Sequence, residues 1–348
     1  MNKTLLALLI ITLISACQNT TQQASINTPS TDSNTQPIAT IEWYDSTIAP
    51  FIDTTAQVQI IAKGYNWTEG PLWIAKTGTL IFSDVPENTI FQWRPNDTAT
   101  RYLTPSGYTK PQPAKGEIGS NGLTLDRNGN LLLCQSGNRQ IARMRGSIAS
   151  PAPDFKTLAA TYGGKRFNSP NDIVADSKNN VYFTDPVYGL PGGEGDTARD
   201  LSFEGVYKIS PTGKLSLLID SIRRPNGIAF SPDERTLYIA SSDNDKPAWY
   251  AYTLNVAGNP VSGGVLLDAR PLKAGAVQKQ GPDGMKVDNS GNLFSAGPDG
   301  INIISPAGRR LGLIKVYNRF TSNCSFSANK DTLYVTADDV VLQVHLHK

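Results

Sequence analysis

Histidine is almost missing from this chain: it has two in 348 residues, His345 and His347, both among the last four. A Ser-His-Asp triad, a His-rich zinc site and a histidine general base all need an imidazole that the body of the sequence lacks. Any chemistry therefore runs on carboxylates and neutral oxygen donors. A charge imbalance is also missing, since 32 Lys and Arg face 30 Asp and Glu, for a net charge of +2. That balance gives no electrostatic footprint for nucleic acid. Apart from these gaps the composition is that of an ordinary globular protein, 39% hydrophobic and 18% charged, which excludes disorder throughout. Its 30 Gly and 23 Pro punctuate it with turns, which suits many short strands better than long helices.

The N-terminus carries one apolar run, Leu5 to Ile14, shorter than the roughly 20 residues that cross a bilayer. With Lys3 before it and small residues after it, the run reads as a secretory signal. Its end, Ile14-Ser15-Ala16-Cys17, resembles a bacterial lipobox, which implies that Cys17 is lipidated and becomes the first mature residue. Gln18 after the cysteine, where Asp would retain the protein in the inner membrane, implies the outer membrane facing the periplasm. The stretch from Gln18 to about Thr40 is too polar to bury a core. The expected organisation is a signal peptide at 1–16, a lipidated cysteine and tether at 17–40, and one folded domain at 41–348. Cys134 and Cys324 fall in non-adjacent repeats and are expected to be free, buried thiols.

Six segments repeat one pattern, in which a polar residue, usually followed by Gly, opens an apolar strand and a second apolar strand begins about ten residues later. Their first residues are Glu69, Asn121, Asn171, Asn226, Asp283 and Ser322, spaced by 52, 50, 55, 57 and 39 residues. Each interval is long enough for a four-stranded antiparallel sheet. The chain after Ser322 holds half a repeat, and residues 41–68 supply the other half. These intervals predict an all-β fold, a six-bladed β-propeller whose last blade is closed by an N-terminal strand. The long connections 104–120, 187–205 and 268–282 are expected at the same end as the six marked residues. Trp67, Trp73, Tyr182 and Tyr238 are read as packing between blades.

All six marked residues carry a side-chain oxygen. Asn-Gly and Asp-Gly are also turn dipeptides. Each segment, however, already contains its own hairpin turn about seven residues on, and turn chemistry does not call for Glu at position 69. Carboxylates and amides converging in a narrow channel repel or remain unsatisfied unless a cation sits among them. An all-oxygen donor set suits Ca²⁺, with Glu69 and Asp283 matching its charge and Asn171 and Asn226 adding neutral ligands. Mg²⁺, Mn²⁺ and Zn²⁺ are also accepted by such donors.

Glu69-Gly70-Pro71, Asn168-Ser169-Pro170-Asn171-Asp172, Tyr182-Phe183-Thr184-Asp185-Pro186, Pro225-Asn226-Gly227-Ile228 and Gly281-Pro282-Asp283-Gly284-Met285 together resemble the gluconolactonase, regucalcin (senescence marker protein) and luciferin-regenerating family. The resemblance runs from about residue 60 to the end of the chain. It implies Glu69, Asn226 and Asp283 as metal ligands and Asn171 as a ligand or a substrate contact, with Asp283 activating water. The chain departs from the family at Gln135-Ser136-Gly137-Asn138-Arg139, where relatives often carry His at the position of Ser136.

The expected activity is hydrolysis of a small sugar lactone. In that reading the cation polarises the carbonyl, Asp283 is the catalytic residue, and Asn121, Asn171 and Arg166 bind substrate. Hydrolysis of another ester or an organophosphate at the same site, and a non-catalytic ligand-binding propeller with a structural metal, are the alternatives. No nucleic-acid partner is expected, and the membrane is met only through the N-terminal lipid.

Overall fold

The computed structural model of the protein describes residues 37–111 and 116–346. The expected signal peptide, the Cys17 lipidation site and most of the tether lie outside the described residues. Six antiparallel sheets follow one another along the chain as the blades of a propeller. A separate two-stranded ribbon, Thr161–Tyr162 with Lys165–Arg166, precedes the third blade. Helix is confined, among the described residues, to one short α-helix at Arg270–Gly275 and two 3-10 turns.

The strand nearest the axis in each blade is Thr68–Ile74, Ser120–Leu125, Ile173–Ala175, Pro225–Phe230, Met285–Val287 or Thr321–Phe326. Each marked residue is the second residue of its strand or lies two residues ahead of it, at the strand's start as the repeat predicts. The ring also closes as expected, because Val58–Lys63 pairs antiparallel with Val340–His345 and becomes the outer strand of blade six. An element the repeat did not reveal is Ala39–Trp43, which pairs with Arg310–Val316 as a fifth strand on blade five. This strand begins ahead of the boundary expected at residue 41. Among the described residues no helix is long and apolar enough to cross a membrane.

Propeller blades bury their faces against their neighbours, and here the apolar core divides accordingly into six clusters, one per interface. Leu123, Leu131 and Leu133 of blade two pack on Ile74, Ile81 and Ile90 of blade one. Cys134 joins the next interface, and Cys324 lies between blades five and six. Both thiols are free and buried. Trp73 stacks on Tyr334 across blades one and six with ring centroids 5.3 Å apart. Tyr182 meets Phe230 edge-on across blades three and four at 4.9 Å. Tyr238 is buried between blades four and five. Trp67 departs from this pattern and lines the central cavity.

Near the axis the inner strands converge until backbone touches backbone. The Gly122 N–H donates to Asn171 O at 2.7 Å, and the Gly284 N–H donates to Ser322 O at 2.8 Å. A Cβ at Gly227 would stand 2.4 Å from Asp283 O. The repeated glycine thus serves close approach of neighbouring blades and is not the corner of a hairpin. Blades three and six carry Asp172 and Asn323 where the others carry glycine. These two side chains fill the space their neighbours' glycines leave open: a Cβ at Gly122 would meet Asp172 Oδ1 at 2.7 Å, and one at Gly284 would meet Asn323 Cγ at 2.0 Å.

Candidate active site

A cavity of about 240 Å³ occupies one end of the channel, and Glu69, Asn121, Asn171, Asn226 and Asp283 all line it. Five of the six marked residues therefore share one space although the first and last, Glu69 and Asp283, are 214 residues apart in sequence. Ser322 does not line it. Its hydroxyl donates to Thr68 O at 2.6 Å and bonds Thr336 Oγ1 at 2.7 Å, and blade six contributes Asn323 beneath the cavity instead.

The backbone aims these side chains. Asn171 donates its N–H to Thr184 O at 2.9 Å and accepts from Gly122, so its position is fixed from both neighbouring segments. The Asn226 amide nitrogen donates to Ser242 Oγ at 3.1 Å, which fixes the orientation of the amide relative to its oxygen. Glu69 Oε2 accepts from the Gly70 N–H at 2.9 Å and from Asn323 Nδ2 at 3.5 Å, and Asp283 Oδ1 accepts from the Gly284 N–H at 3.0 Å.

Burial is the main force on these acids. It pushes the Glu69 carboxyl up to about 8, with the charges of Asp172 and Glu117 adding to the rise against the Gly70 N–H. Asp283 is raised well above the usual carboxylate range, first by burial and then by the charge of Glu69. Asp172, on the channel floor, is raised by burial despite Lys286 nearby and bonds from the N–H groups of Ile173 and Ile228. Several acids thus crowd one buried space.

This crowding tests whether the donors suit a divalent cation. Glu69 and Asp283 receive few protein hydrogen bonds, and the donors around them are hard oxygens of the kind Ca²⁺ and Mg²⁺ prefer. Among the described residues no group of three or more His, Cys, Asp or Glu side chains is placed to hold a metal by itself. A cation here relies on the amide oxygens of Asn171 and Asn226 beside the two carboxylates. The residues present fit such an ion.

Two residues that the sequence motifs single out lie away from the cavity. Arg166 belongs to the exposed ribbon, where its N–H donates to Asp200 Oδ2 at 3.1 Å, and it is not among the cavity residues. The reason is local. Gly163 and Gly164 both adopt positive φ, 58° and 79°, and such a two-residue corner folds Lys165–Arg166 back on Thr161–Tyr162 as a hairpin. Ser136 also stays out of the cavity, donating its hydroxyl to Pro170 O at 2.9 Å. It braces the loop that carries Asn171.

Sequence reasoning missed Glu117, Tyr188, Arg224 and Gln280, which also line the cavity. Three of them stand on the long connections already expected at this end. Their signal was loop length alone, because none belongs to the repeated pattern. Arg224 had a plainer signal in its place two residues before Asn226. It supplies the cation in the cavity wall that Arg166 does not.

Residues 67–339 match the family described as the SMP-30/Gluconolactonase/LRE-like region. A gluconolactonase of Zymomonas mobilis is 36% identical over 315 residues, covering 89% of this chain and 87% of its own. The solved structure of a gluconolactonase from Xanthomonas campestris superposes with a TM-score of 0.75 at 26% identity, over 88% of this chain and 95% of that one. A calcium-binding regucalcin from Agrobacterium tumefaciens shares the fold, with a TM-score of 0.66 at 16% identity over 84% of this chain and 95% of its own. The chain therefore belongs to the SMP-30/gluconolactonase/LRE-like family, as a lactonase-type enzyme.

Proposed function

We propose that this protein opens sugar lactones of the gluconolactone type by hydrolysis that depends on a divalent cation, most simply Ca²⁺. The observation that carries the reading is the meeting of Glu69, Asn171, Asn226 and Asp283 in one cavity, where burial, with the charge of neighbouring acids, raises both carboxyls. These four residues would hold the cation. When bound, such an ion keeps the carboxylates ionised and polarises a carbonyl oxygen as a Lewis acid.

The remaining work belongs to the chain. Asp283, which accepts fewer protein hydrogen bonds than Glu69, orients water against the lactone carbonyl and accepts its proton. The collapse of the tetrahedral adduct breaks the ring C–O bond, and the alkoxide so formed takes the proton that Asp283 accepted, giving the open hydroxy acid and the free carboxylate. Asn121 and Asn171, on adjacent blades, hold hydroxyls of the sugar. The N-terminal sequence supports export and anchoring of the enzyme through a lipid on Cys17 at the periplasmic face of the outer membrane. Cys17→Ser would then release it to the soluble periplasmic fraction, and unchanged membrane association would refute that anchor.

The decisive experiment on activity is acid release from a panel of lactones by chelated protein, with Ca²⁺, Mg²⁺, Mn²⁺ and Zn²⁺ restored in turn. Activity that returns with one or more ions is expected. Rates that stay flat across every ion would defeat the metal-dependent mechanism.

A further inference from the structure

Ten buried side-chain polar atoms lack a hydrogen-bond partner among the described residues, and three of them belong to residues lining this one cavity: Tyr188 Oη, Arg224 Nε and Asn121 Oδ1. Buried polar atoms are nearly always paired. A concentration of unpaired ones in a cavity wall marks where a ligand completes the bonding.

Each is held in place without being satisfied. Tyr188 sits at the root of the loop that follows the second strand of blade three. That root is pinned, because Ser169 Oγ donates to Pro186 O at 2.6 Å and accepts from the Gly189 N–H at 2.8 Å. The nearby Ser242 hydroxyl is already committed, donating to Pro282 O at 2.6 Å and accepting from Asn226 Nδ2 at 3.1 Å.

Arg224 adopts a left-handed backbone, φ 47°, which a side chain other than glycine's rarely takes without reason. Its N–H donates to Glu204 Oε2 at 3.2 Å and its carbonyl accepts from the Ser242 N–H at 3.1 Å, so the conformation is clamped on both sides. Arg224 Nε lies 3.9 Å from Glu194 Oε1, beyond hydrogen-bond reach. Glu194 instead bonds Arg223 Nη2 at 2.7 Å.

The charge around Arg224 decides what it recognises. Glu194 stands 3.9 Å from its guanidinium, and Glu117, which is outside the set that would hold the cation, lines the same cavity. Among the described residues Arg224 is the one basic side chain of the cavity wall, and carboxylates already stand near it, which disfavours an anionic substituent. Two unpartnered donors and one unpartnered acceptor on residues of one cavity wall suit neutral hydroxyls. We propose that Tyr188 and Arg224, together with Asn121, form a specificity subsite that selects a neutral, polyhydroxylated lactone over an unsubstituted one. The proposal rests on the lactone-hydrolase reading and adds the residues that choose among lactones.

The test is the ratio of kcat/KM for glucono-1,5-lactone to that for δ-valerolactone, corrected for spontaneous opening, in wild type, Tyr188→Phe and Arg224→Lys. Phe removes only the hydroxyl, and Lys keeps the charge while removing Nε. Melting temperatures are taken alongside, and if one variant fails to fold the other carries the test. The ratio is expected to fall about tenfold in each folded variant, mainly through KM for the sugar lactone, the loss of one buried hydrogen bond. An unchanged ratio in either folded variant overturns the subsite, including the case where both lactones slow in proportion. A wild type that opens neither lactone overturns the hydrolase reading instead. The subsite is then judged by calorimetric binding of 1,5-anhydroglucitol: binding that Tyr188→Phe weakens about tenfold upholds it, and no binding, or binding the variant leaves unchanged, sinks it.

Discussion

The inner strands carry the same residue types at their two ends, yet those residues live in opposite conditions. Past the far ends, Asp126, Asp176 and Asp288 each close a hairpin. Asp126 accepts from the N–H groups of Asn128 and Asn130, both at 2.9 Å, and from Asn130 Nδ2 at 2.8 Å. Asp176 and Asp288 repeat the arrangement with Asn180 and Asn292. At the cavity end Glu69 and Asp283 have fewer partners, and burial raises both. Asp and Asn are thus turn chemistry at one end and candidate ligand chemistry at the other. Residue type does not separate the two; the supply of hydrogen-bond partners does.

The largest effect that could break this contrast is expected at Asp283. Asp283→Asn keeps the shape and one oxygen while removing the charge and the base. Lactone hydrolysis is expected to fall by about 10²–10⁴-fold, while the melting temperature of chelated protein holds or rises because one of two repelling buried acids is gone. Equal loss of activity and stability would make Asp283 a structural acid like those of the hairpins.

A second test concerns an acid that shares features of both ends. Asp185 accepts from the Asn168 and Ser169 N–H groups, each at 2.8 Å, as the hairpin acids do. Burial nevertheless lifts it from its ordinary 3.8 to about 7. Over that window the folded chain keeps a proton that the unfolded chain releases, so this group's contribution to stability falls as pH rises from about 4 through 7. Asp185→Asn should therefore flatten the difference in denaturation midpoint between pH 5 and pH 8. An unaltered slope would show that the two N–H bonds outweigh burial.

What the sequence revealed divides along the same line. Positions that recur in every blade were legible: the six inner strands, the closing role of Val58–Lys63, and the meeting of Glu69, Asn121, Asn171, Asn226 and Asp283. Periodicity reports only what repeats. Ala39–Trp43 has no counterpart in the other blades, and Glu117 and Tyr188 stand on connections of unequal length, whose length marked the loops but not the residues. Arg166 misled because its motif neighbours lead into blade three while its own two-glycine hairpin turns it outward. The glycines were legible as a pattern but not in cause, since their need appears only where adjacent backbones touch.

That close approach supplies the next prediction. Gly284→Ala would place a methyl group 2.0 Å from Asn323 Cγ, and Asn323 is held by the Cys324 N–H at 2.8 Å and donates toward Glu69. Overpacking of this kind costs about 1–3 kcal/mol, read as a lower denaturation midpoint. A variant as stable as wild type would mean that the channel floor yields easily and does not position Glu69.

The smallest effect is expected at the hairpin end. Asp126→Ala removes three accepted hydrogen bonds but leaves the turn's backbone bonds, Asp126 N–H to Asn130 O and Gly129 N–H to Asp126 O, both 2.9 Å. The orphaned donors lie near the surface, where water replaces the carboxylate, so the cost is about 1 kcal/mol, with kcat and KM for a lactone unchanged. If Asp126→Ala instead slowed hydrolysis at unchanged stability, the hairpin end would take part in catalysis. The division of labour between satisfied and unsatisfied acids would then fail at its simplest point.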